Sequence, residues 1–249
     1  MYFGDSARSF LQALLPRKVI SVLRDHFLGY GIGGTVPSFS QEGEDVLLYN
    51  LFKNRKNGCY VDIGAHNPKR FSNTCLFYLL GWRGINVEPD PSSIDEFRKF
   101  RKQDINLGIG IGIKEGIMEY YQFNDAALNT FNRQRVDEIL KMDIYHLVGT
   151  EEVQIQPLSS VLDNHLGRRA VDFLDVDVEG MELEVLMSNN WEKYKPLVVL
   201  VEVRENNLRD IMLDDVHSYL ENLGYNLVAK TPRTGFYAVA NFLSFLAGK

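Results

Sequence analysis

Length, composition and charge exclude several classes of protein. A chain of 249 residues with a hydrophobic fraction of 45% can bury one large core, so one main domain with a smaller appendage is expected. Its 27 basic and 33 acidic residues give a net charge of −6, which is unfavourable for gripping a phosphate backbone, and nucleic acid is therefore not expected as a partner.

The cysteines and the hydropathy pattern indicate a cellular location. Two cysteines, Cys59 and Cys75, are typical of buried thiols in a reducing compartment rather than of a disulfide framework. No apolar run approaches the ~20 residues that span a bilayer, and the N-terminal residues lack the pattern of a signal peptide. We therefore expect a cytoplasmic protein without stable membrane insertion.

The first 37 residues differ in pattern from the rest of the chain. Apolar residues recur at helical spacing over 9–28, with Pro16 inside the stretch, and four glycines and Pro37 then interrupt the pattern. We predict an N-terminal extension of one or two helices with a linker over 1–37, and a main domain over 38–249. The extension either packs on the core or serves as a lid, an oligomerisation arm or an amphipathic membrane contact, and a homo-oligomer is compatible with these alternatives.

Beyond the linker, strand and helix patterns alternate in the order of a doubly wound α/β sheet. Strands are predicted over 58–63, 84–88, 105–113, 172–178 and 197–203. Helices are predicted over 41–52, 73–80, 91–102, 181–187 and 214–223. The segments 224–230 and 235–239 indicate a terminal hairpin.

Two of the predicted strands end on an acidic residue. The first apolar run reaches Asp62 just before Gly64, and the second reaches Glu88, which lies 24 residues after that glycine. This is near the spacing at which a nucleotide-binding fold places a carboxylate on a ribose. The pattern therefore predicts an adenosine site at the carboxyl ends of the strands.

The turn after the first strand indicates which adenosine cofactor binds. A pyrophosphate cradle needs several glycines, whereas Gly64 is followed by His66 and Pro68. A nicotinamide cofactor is therefore disfavoured. S-adenosylmethionine, which has no phosphates, needs one tight turn and an acid for its ribose.

Five segments together resemble the FkbM family of S-adenosylmethionine-dependent O-methyltransferases. They are SQEGED at 40–45, YVDIGAH at 60–66, SNT at 72–74, GWRGINVEP at 81–89 and DVDVEGME at 175–182. The resemblance implies a Rossmann-like class I methyltransferase sheet of seven strands, the last one antiparallel, with the N-terminal helical extension before it. It also implies methylation of hydroxyls of sugars and other polyols, as in glycan or secondary-metabolite biosynthesis.

The predicted cofactor residues follow from the strand ends. We expect the Asp62–Gly64 turn to hold the methionine part, although Asp62 can alternatively cap the next helix, and Glu88 to accept both ribose hydroxyls. Ser72, Asn73 and Thr74 are expected to cap the next helix, and Asn73 and Thr74 are counted as secondary cofactor residues as well. The full set is Asp62, Gly64, Ala65, Asn73, Thr74, Glu88, Pro89 and Asp175.

A second acidic cluster carries the predicted chemistry. Strand alternation places Asp175 and Asp177 on one face, with Glu179 at the strand tip and Glu202 at the end of the next strand. Converging carboxylates either raise one pKa, which makes a usable base, or hold a cation such as Mg²⁺. The predicted catalytic residues are Asp177, Glu179 and His66, whose imidazole either takes a proton or is structural; the alternative metal ligands are Asp177 and Glu202.

The segment 119–166 between the third and fourth predicted strands is longer than a plain crossover needs. Its tyrosines, asparagines and arginines suit a sugar, although an ordinary surface excursion has similar composition. We predict methyl transfer from S-adenosylmethionine to a hydroxyl of a saccharide or nucleotide-linked sugar. The alternatives are a non-catalytic saccharide-binding protein on the same fold and a nicotinamide-dependent oxidoreductase.

Overall fold

The structure is a computed structural model that describes residues 36–53, 55–203, 207–240 and 242. The predicted helical extension lies outside the described residues and stays a prediction. The described residues from Phe39 onward belong to one compact unit. None of the helices in the described ranges is long and apolar enough to cross a membrane.

The described residues form ten strands in two sheets. In chain order these are β1 Cys59–Ile63, β2 Arg83–Val87, β3 Ile105–Leu107, β4 Gly110–Ile111, β5 Gly116–Phe123, β6 Leu147–Gln156, β7 Phe173–Val176, β8 Val198–Glu202, β9 Tyr225–Lys230 and β10 Thr234–Val239. The main sheet has seven strands in the order β3-β2-β1-β7-β8-β10-β9. Strands β3, β2, β1, β7 and β8 run parallel to one another, and β10 is antiparallel to both of its neighbours, β8 and β9. The predicted fold class is therefore confirmed.

The described helices connect and cover these strands. They are α1 Glu44–Leu51, α2 Cys75–Leu79, α3 Pro91–Phe100, α4 Arg133–Ile139, α5 Leu158–His165, α6 Glu182–Met187, α7 Leu208–Ile211 and α8 Asp215–Asn222, with a 3₁₀ turn at Ala126–Leu128. Helix α3 begins where the Asp90 carboxylate accepts the Ser93 N–H and Pro91 fills the first position. These local signals give the helix a well-defined start directly after the acidic end of β2.

The central strands are buried on both faces, as parallel strands under two helical layers must be. Every residue of β1 and β7 is buried, and β8 is buried from Val198 to Val201. An aromatic cluster that includes Phe77, Trp82 and Phe173 packs on one face. Aliphatic side chains from α5 and the alternate strand positions, among them Val161, pack on the other.

The prediction of one long third strand over 105–113 is wrong. Strand β3 ends at Leu107, and the chain then leaves the main sheet to form β4. Gly110 makes the second contact possible, because an added Cβ would lie 2.5 Å from Ile155 and 2.7 Å from Phe131. An unbroken apolar run in the sequence therefore divides between two sheets.

The segment 119–166 has a core of its own and is more than a surface excursion. Strands β5 and β6 form an antiparallel pair that joins β4 in a three-stranded second sheet of order β4-β6-β5. Tyr121 and Phe123 pack with Val136 and Ile139 of α4. This second sheet contributes one wall of the cleft described next.

Candidate functional site

A cleft opens at the carboxyl ends of the parallel strands. It encloses about 540 Å³ of space, part of which is open to solvent. One side comes from the ends of β1, β2 and β7, and the other from the second sheet and the 3₁₀ turn. The lining includes Gly64, His66, Glu88, Pro89, Ile109, Tyr120, Asn129, Thr130, Phe131, Asp177 and Glu179.

The turn at Gly64 joins three strand ends. Gly64 has a φ of 80°, and a Cβ added there would lie 1.7 Å from the carbonyl oxygen of Asp177. Its N–H and that of Ala65 both donate to the carbonyl of Val87, at 3.0 and 3.1 Å. Only glycine fits this left-handed, close-packed position, so the turn predicted from sequence is also the point where β1 meets β2 and β7.

Glu88 follows β2 and faces the cleft with 4% of its surface exposed. One carboxylate oxygen accepts the Asp90 N–H at 2.8 Å and the other accepts the His66 N–H at 2.7 Å. Burial raises the pKa of Glu88 from 4.5 to about 7 against the opposing effect of these two hydrogen bonds. Each carboxylate oxygen has a second lone-pair site that can accept a ligand hydroxyl.

Asp62 and Asp175 are register partners on β1 and β7 and are both buried. The Thr74 hydroxyl donates to Asp62 at 2.6 Å, and the Asn73 side chain hydrogen-bonds to Asp175. Burial raises the pKa of both carboxyls. The Ser72 hydroxyl, rather than Asp62, accepts the first N–H of α2, from Cys75 at 3.2 Å. The structure thus brings four of the predicted cofactor residues together beneath the Gly64 turn.

The acidic residues expected to converge in one group lie in two. Asp177, Glu179 and Glu202 have carboxylate oxygens within 4.8 Å of one another, whereas Asp175 is paired with Asp62 instead. Strand β7 ends at Val176, so Asp177 lies beyond the regular alternation that placed it beside Asp175. Asp177 as a whole is exposed to solvent, but partial desolvation of its carboxyl at the cleft and repulsion from Glu202 and Glu179 raise its pKa.

An arginine from the second sheet's helix reaches this cluster. The guanidinium of Arg135 donates to Glu179 through Nη2 at 3.0 Å and Nε at 3.1 Å. Three carboxylates of this kind can hold a hard divalent cation. Since Arg135 already compensates Glu179, Asp177 and Glu202 are the two residues that could hold one.

The segment between the 3₁₀ turn and α4 fixes the loop that carries Glu179. The Thr130 hydroxyl donates to the Glu179 carbonyl at 2.9 Å, and the Asn132 amide donates to the Gly180 carbonyl at 2.6 Å. Glu179 has a φ of 54°, an uncommon conformation for a residue with a Cβ. The asparagine and threonine that the composition assigned to a sugar thus hold the acidic loop in place.

His66 lines the cleft beside Glu88. Its φ of 52° is also left-handed, and its backbone N–H is held by the Glu88 carboxylate. Burial lowers the pKa of the His66 imidazole, which keeps the ring neutral near pH 7. The imidazole is therefore in the protonation state that a base requires.

Sequence reasoning missed an aromatic wall opposite Glu88. Tyr120 is buried, and its ring centroid lies 4.6 Å from that of Phe131. The side chain of Asn129 accepts the Phe123 N–H at 2.8 Å and lies within hydrogen-bonding reach of Tyr120. The tyrosines of this segment were expected to suit a sugar, but nothing local shows that β5 faces the cleft beside Glu88.

The seven-stranded sheet and the cleft at its carboxyl edge define a Rossmann-like methyltransferase. A family model described as "Methyltransferase FkbM domain" matches residues 62–227, and the chain belongs to this family. Membership supports methyl transfer as the general activity and an S-adenosylmethionine-type cofactor. A search of curated proteins finds no match.

The chain is similar to solved structures of two methyltransferases, the first of which shows the same fold. The chain is similar to methyltransferase FkbM from Methylobacillus flagellatus KT, with a TM-score of 0.50 and 16% identity over 80% of this chain and 48% of that one. The chain thus spans about half the length of that protein. It is also similar to a methyltransferase from Geobacter sulfurreducens, with 14% identity over 96% of this chain and 98% of that one and a TM-score of 0.43.

Proposed function

We propose that the protein transfers the methyl group of S-adenosylmethionine to a hydroxyl of a saccharide or nucleotide-linked sugar. The observation that carries this proposal is Glu88, a buried carboxylate at the end of β2 that faces the same cleft as the Gly64 turn. An acid there suits a ribose, and the family supports methyl transfer.

The residues of the cleft fit this cofactor in charge and shape. Glu88 lines the cleft and would accept the ribose hydroxyls through its remaining lone pairs. Asp62 is buried just before the Gly64 turn, outside the cleft lining, and its carboxylate would attract the ammonium of the methionine part. The turn has a single glycine, packed against Asp177, and lacks the further glycines that let a backbone approach a pyrophosphate. This arrangement favours a cofactor without phosphates over a dinucleotide.

The acidic cluster supplies the base. When bound, S-adenosylmethionine presents a methyl group on a sulfonium sulfur, which is a good leaving group. Asp177 takes the proton of the acceptor hydroxyl as the oxygen forms its bond to the methyl carbon and the carbon–sulfur bond breaks. The products are a methyl ether, S-adenosylhomocysteine and a protonated Asp177. Neutral His66, which also lines the cleft, is the alternative base.

We propose that this step proceeds without a metal ion. Asp177 and Glu202 have the oxygen ligands that Mg²⁺ prefers, and with Glu179 their oxygens lie within 4.8 Å. Arg135, however, already places a positive charge on this cluster. The repulsion that remains raises the proton affinity of Asp177, which is what a general base needs.

The acceptor assignment has separate support. The resemblance to O-methyltransferases that act on sugars implies a polyol, and Glu202 lies beside Asp177, which lines the cleft. Carboxylates such as Glu202 are suited to hydrogen-bonding sugar hydroxyls.

Two measurements test the proposal. Calorimetry should show binding of S-adenosylmethionine and none of NAD, whereas the reverse result would identify an oxidoreductase. Mass spectrometry of reactions with a panel of sugars and nucleotide sugars should show a product heavier by one methylene. Saccharide binding without any methylated product would instead favour a non-catalytic saccharide-binding protein.

A further inference from the structure

A fully buried arginine lies behind the predicted cofactor site. Arg101 follows the last residue of α3 and has 0% of its surface exposed. Burying a guanidinium is costly unless its donors are satisfied. The Pro68 carbonyl accepts two hydrogen bonds from Arg101, one from Nε at 3.1 Å and one from Nη2 at 2.8 Å. Nη2 also donates to the Ser72 hydroxyl at 2.7 Å. Nη1 donates to the hydroxyls of Thr74 at 2.8 Å and Tyr60 at 3.2 Å.

These contacts hold one segment of the chain in place. Pro68, Ser72 and Thr74 all belong to the connection between β1 and α2, which runs directly from the Gly64 turn. This connection also contains His66, whose left-handed backbone is bonded to Glu88. Arg101 therefore links residues 68–74, the second half of this connection, to the C-terminal end of α3.

The contact with Thr74 continues to Asp62. Arg101 Nη1 donates to the Thr74 hydroxyl oxygen at 2.8 Å, and that hydroxyl donates to Asp62 at 2.6 Å. A threonine hydroxyl has only one proton to donate. Because Arg101 occupies an acceptor position of the hydroxyl, the proton is directed to Asp62.

Arg101 also changes the electrostatics around Asp62. Burial raises the pKa of Asp62, while the hydrogen bond from Thr74 and the charge of Arg101 lower it. The acidic groups that face Asp62 are Asp104, Asp175 and Glu88, and all three disfavour its ionised form. The positive charge of Arg101 opposes this repulsion.

We infer that Arg101 is a positioning residue of the cofactor site, which orients the Asp62 carboxyl through Thr74 and holds the β1–α2 connection through Pro68 and Ser72. The cleft lining described above does not include Arg101, so it acts through these residues. The inference rests on the proposed function, in which the Asp62 carboxylate attracts the ammonium of S-adenosylmethionine.

Two substitutions in the full chain test the relay, with S-adenosylmethionine as the probe. Arg101→Lys keeps the positive charge but removes the planar guanidinium that donates to several acceptors at once. Thr74→Val keeps the shape of the side chain but removes the hydroxyl. Each should weaken affinity by roughly tenfold or more, since each removes a charge-assisted hydrogen bond in the relay. The kcat at saturating cofactor should fall by less than about threefold, because the reacting atoms are not contacted.

Two further readouts separate positioning from general stability. Thr74→Ser, which keeps the hydroxyl, should restore affinity to within about threefold of the wild type, and the Arg101→Lys/Thr74→Val double variant should lose no more than the worse single variant. For both single variants the loss should increase as the pH is lowered, because removing the Thr74 hydroxyl or the Arg101 guanidinium favours the protonated form of Asp62. Arg55→Lys, which disturbs the ion pair with Asp172 at the other end of the sheet, should leave affinity unchanged.

The inference is overturned if Thr74→Val binds like the wild type, if Thr74→Ser fails to restore binding, or if the two losses add. A wild-type protein that does not bind S-adenosylmethionine would refute the proposed function instead. Amide hydrogen exchange of the cofactor-free protein would then decide the positioning role. Faster exchange over 65–74 in Arg101→Lys than in Arg55→Lys supports it, and equal exchange overturns it.

Discussion

The charge of Glu88 should control cofactor affinity near neutral pH. Burial raises its pKa from 4.5 to about 7, although the N–H groups of His66 and Asp90 both favour the ionised form. Two ribose hydroxyls can donate to this side chain only when it is ionised, because a protonated carboxyl uses one oxygen as a donor. S-adenosylmethionine should therefore bind the ionised form.

The expected loss of S-adenosylmethionine affinity in acid follows from the raised pKa of Glu88. Below pH 7 the affinity should fall about tenfold for each pH unit, so that at pH 5.5 it is roughly 30-fold weaker than at pH 8.

The effect of the Glu88 proton on the stability of the fold has the opposite sign. The folded protein holds this proton more tightly than the unfolded chain, so the stabilisation is present below pH 4.5 and is lost as pH rises through about 7. It amounts to about 3 kcal/mol. Weaker binding in acid therefore does not reflect unfolding caused by Glu88.

The assay is calorimetric titration from pH 5.5 to 8 with the wild type and Glu88→Gln. At pH 8 the variant should bind about ten- to a hundredfold more weakly, since a hydrogen bond to a charged group contributes about 1.5–3 kcal/mol. The difference between the two proteins should shrink towards pH 5.5. Asp172→Asn is the matched control, because Asp172 is a buried carboxyl that accepts the Cys59 N–H at 2.8 Å at the opposite end of the sheet.

One result would refute this reasoning. If Glu88→Gln remains folded in a thermal melt and binds S-adenosylmethionine like the wild type, Glu88 does not contact the ribose. An affinity ratio that stays constant across the pH range would show instead that the raised pKa of Glu88 has no part in binding. Loss of affinity in Asp172→Asn would show that the assay reports general destabilisation.

Three further predictions concern the catalytic end of the cleft. Asp177→Asn should lower turnover by about 10²–10⁴-fold while sparing cofactor affinity, and full activity in that variant would place the base elsewhere. Activity should survive exhaustive chelation with EDTA; loss that Mg²⁺ restores would assign a cation to Asp177 and Glu202. Gly64→Ala should abolish cofactor binding and lower the melting temperature, because its Cβ would lie 1.7 Å from the Asp177 carbonyl oxygen; a variant with normal affinity would contradict the packing of this turn.

Local patterns predicted the elements of the main sheet closely. The strand predicted over 58–63 is β1 at Cys59–Ile63, and the helix predicted over 91–102 is α3 at Pro91–Phe100. Such elements have strong local signals, namely apolar runs that end on an acid and a proline after a capping aspartate. The terminal hairpin, predicted over 224–230 and 235–239, is found as β9 and β10.

The second sheet was not predicted from the sequence, and this omission explains the errors in the predicted elements next to it. Whether Gly110 continues the main sheet or starts a new one depends on Ile155 and Phe131, which contact it from distant parts of the sequence. Helix α4 packs on this sheet and carries Arg135, which donates to Glu179, a residue 44 positions further along the chain. Periodicity within a window of residues carries no information on such pairings.

The sequence by itself determined the family and the acids at the ends of β1 and β2, because both depend on residue type and on short spacings along the chain. Only the tertiary structure decided how those acids are grouped. It set Asp175 beside Asp62 and Asp177 beside Glu202, since the register between neighbouring strands and the end of β7 at Val176 are set by packing. It also placed Arg101, whose position in the sequence suggests a solvated helix end, in full burial behind the cofactor segment, because Pro68, Ser72 and Thr74 together satisfy a guanidinium there.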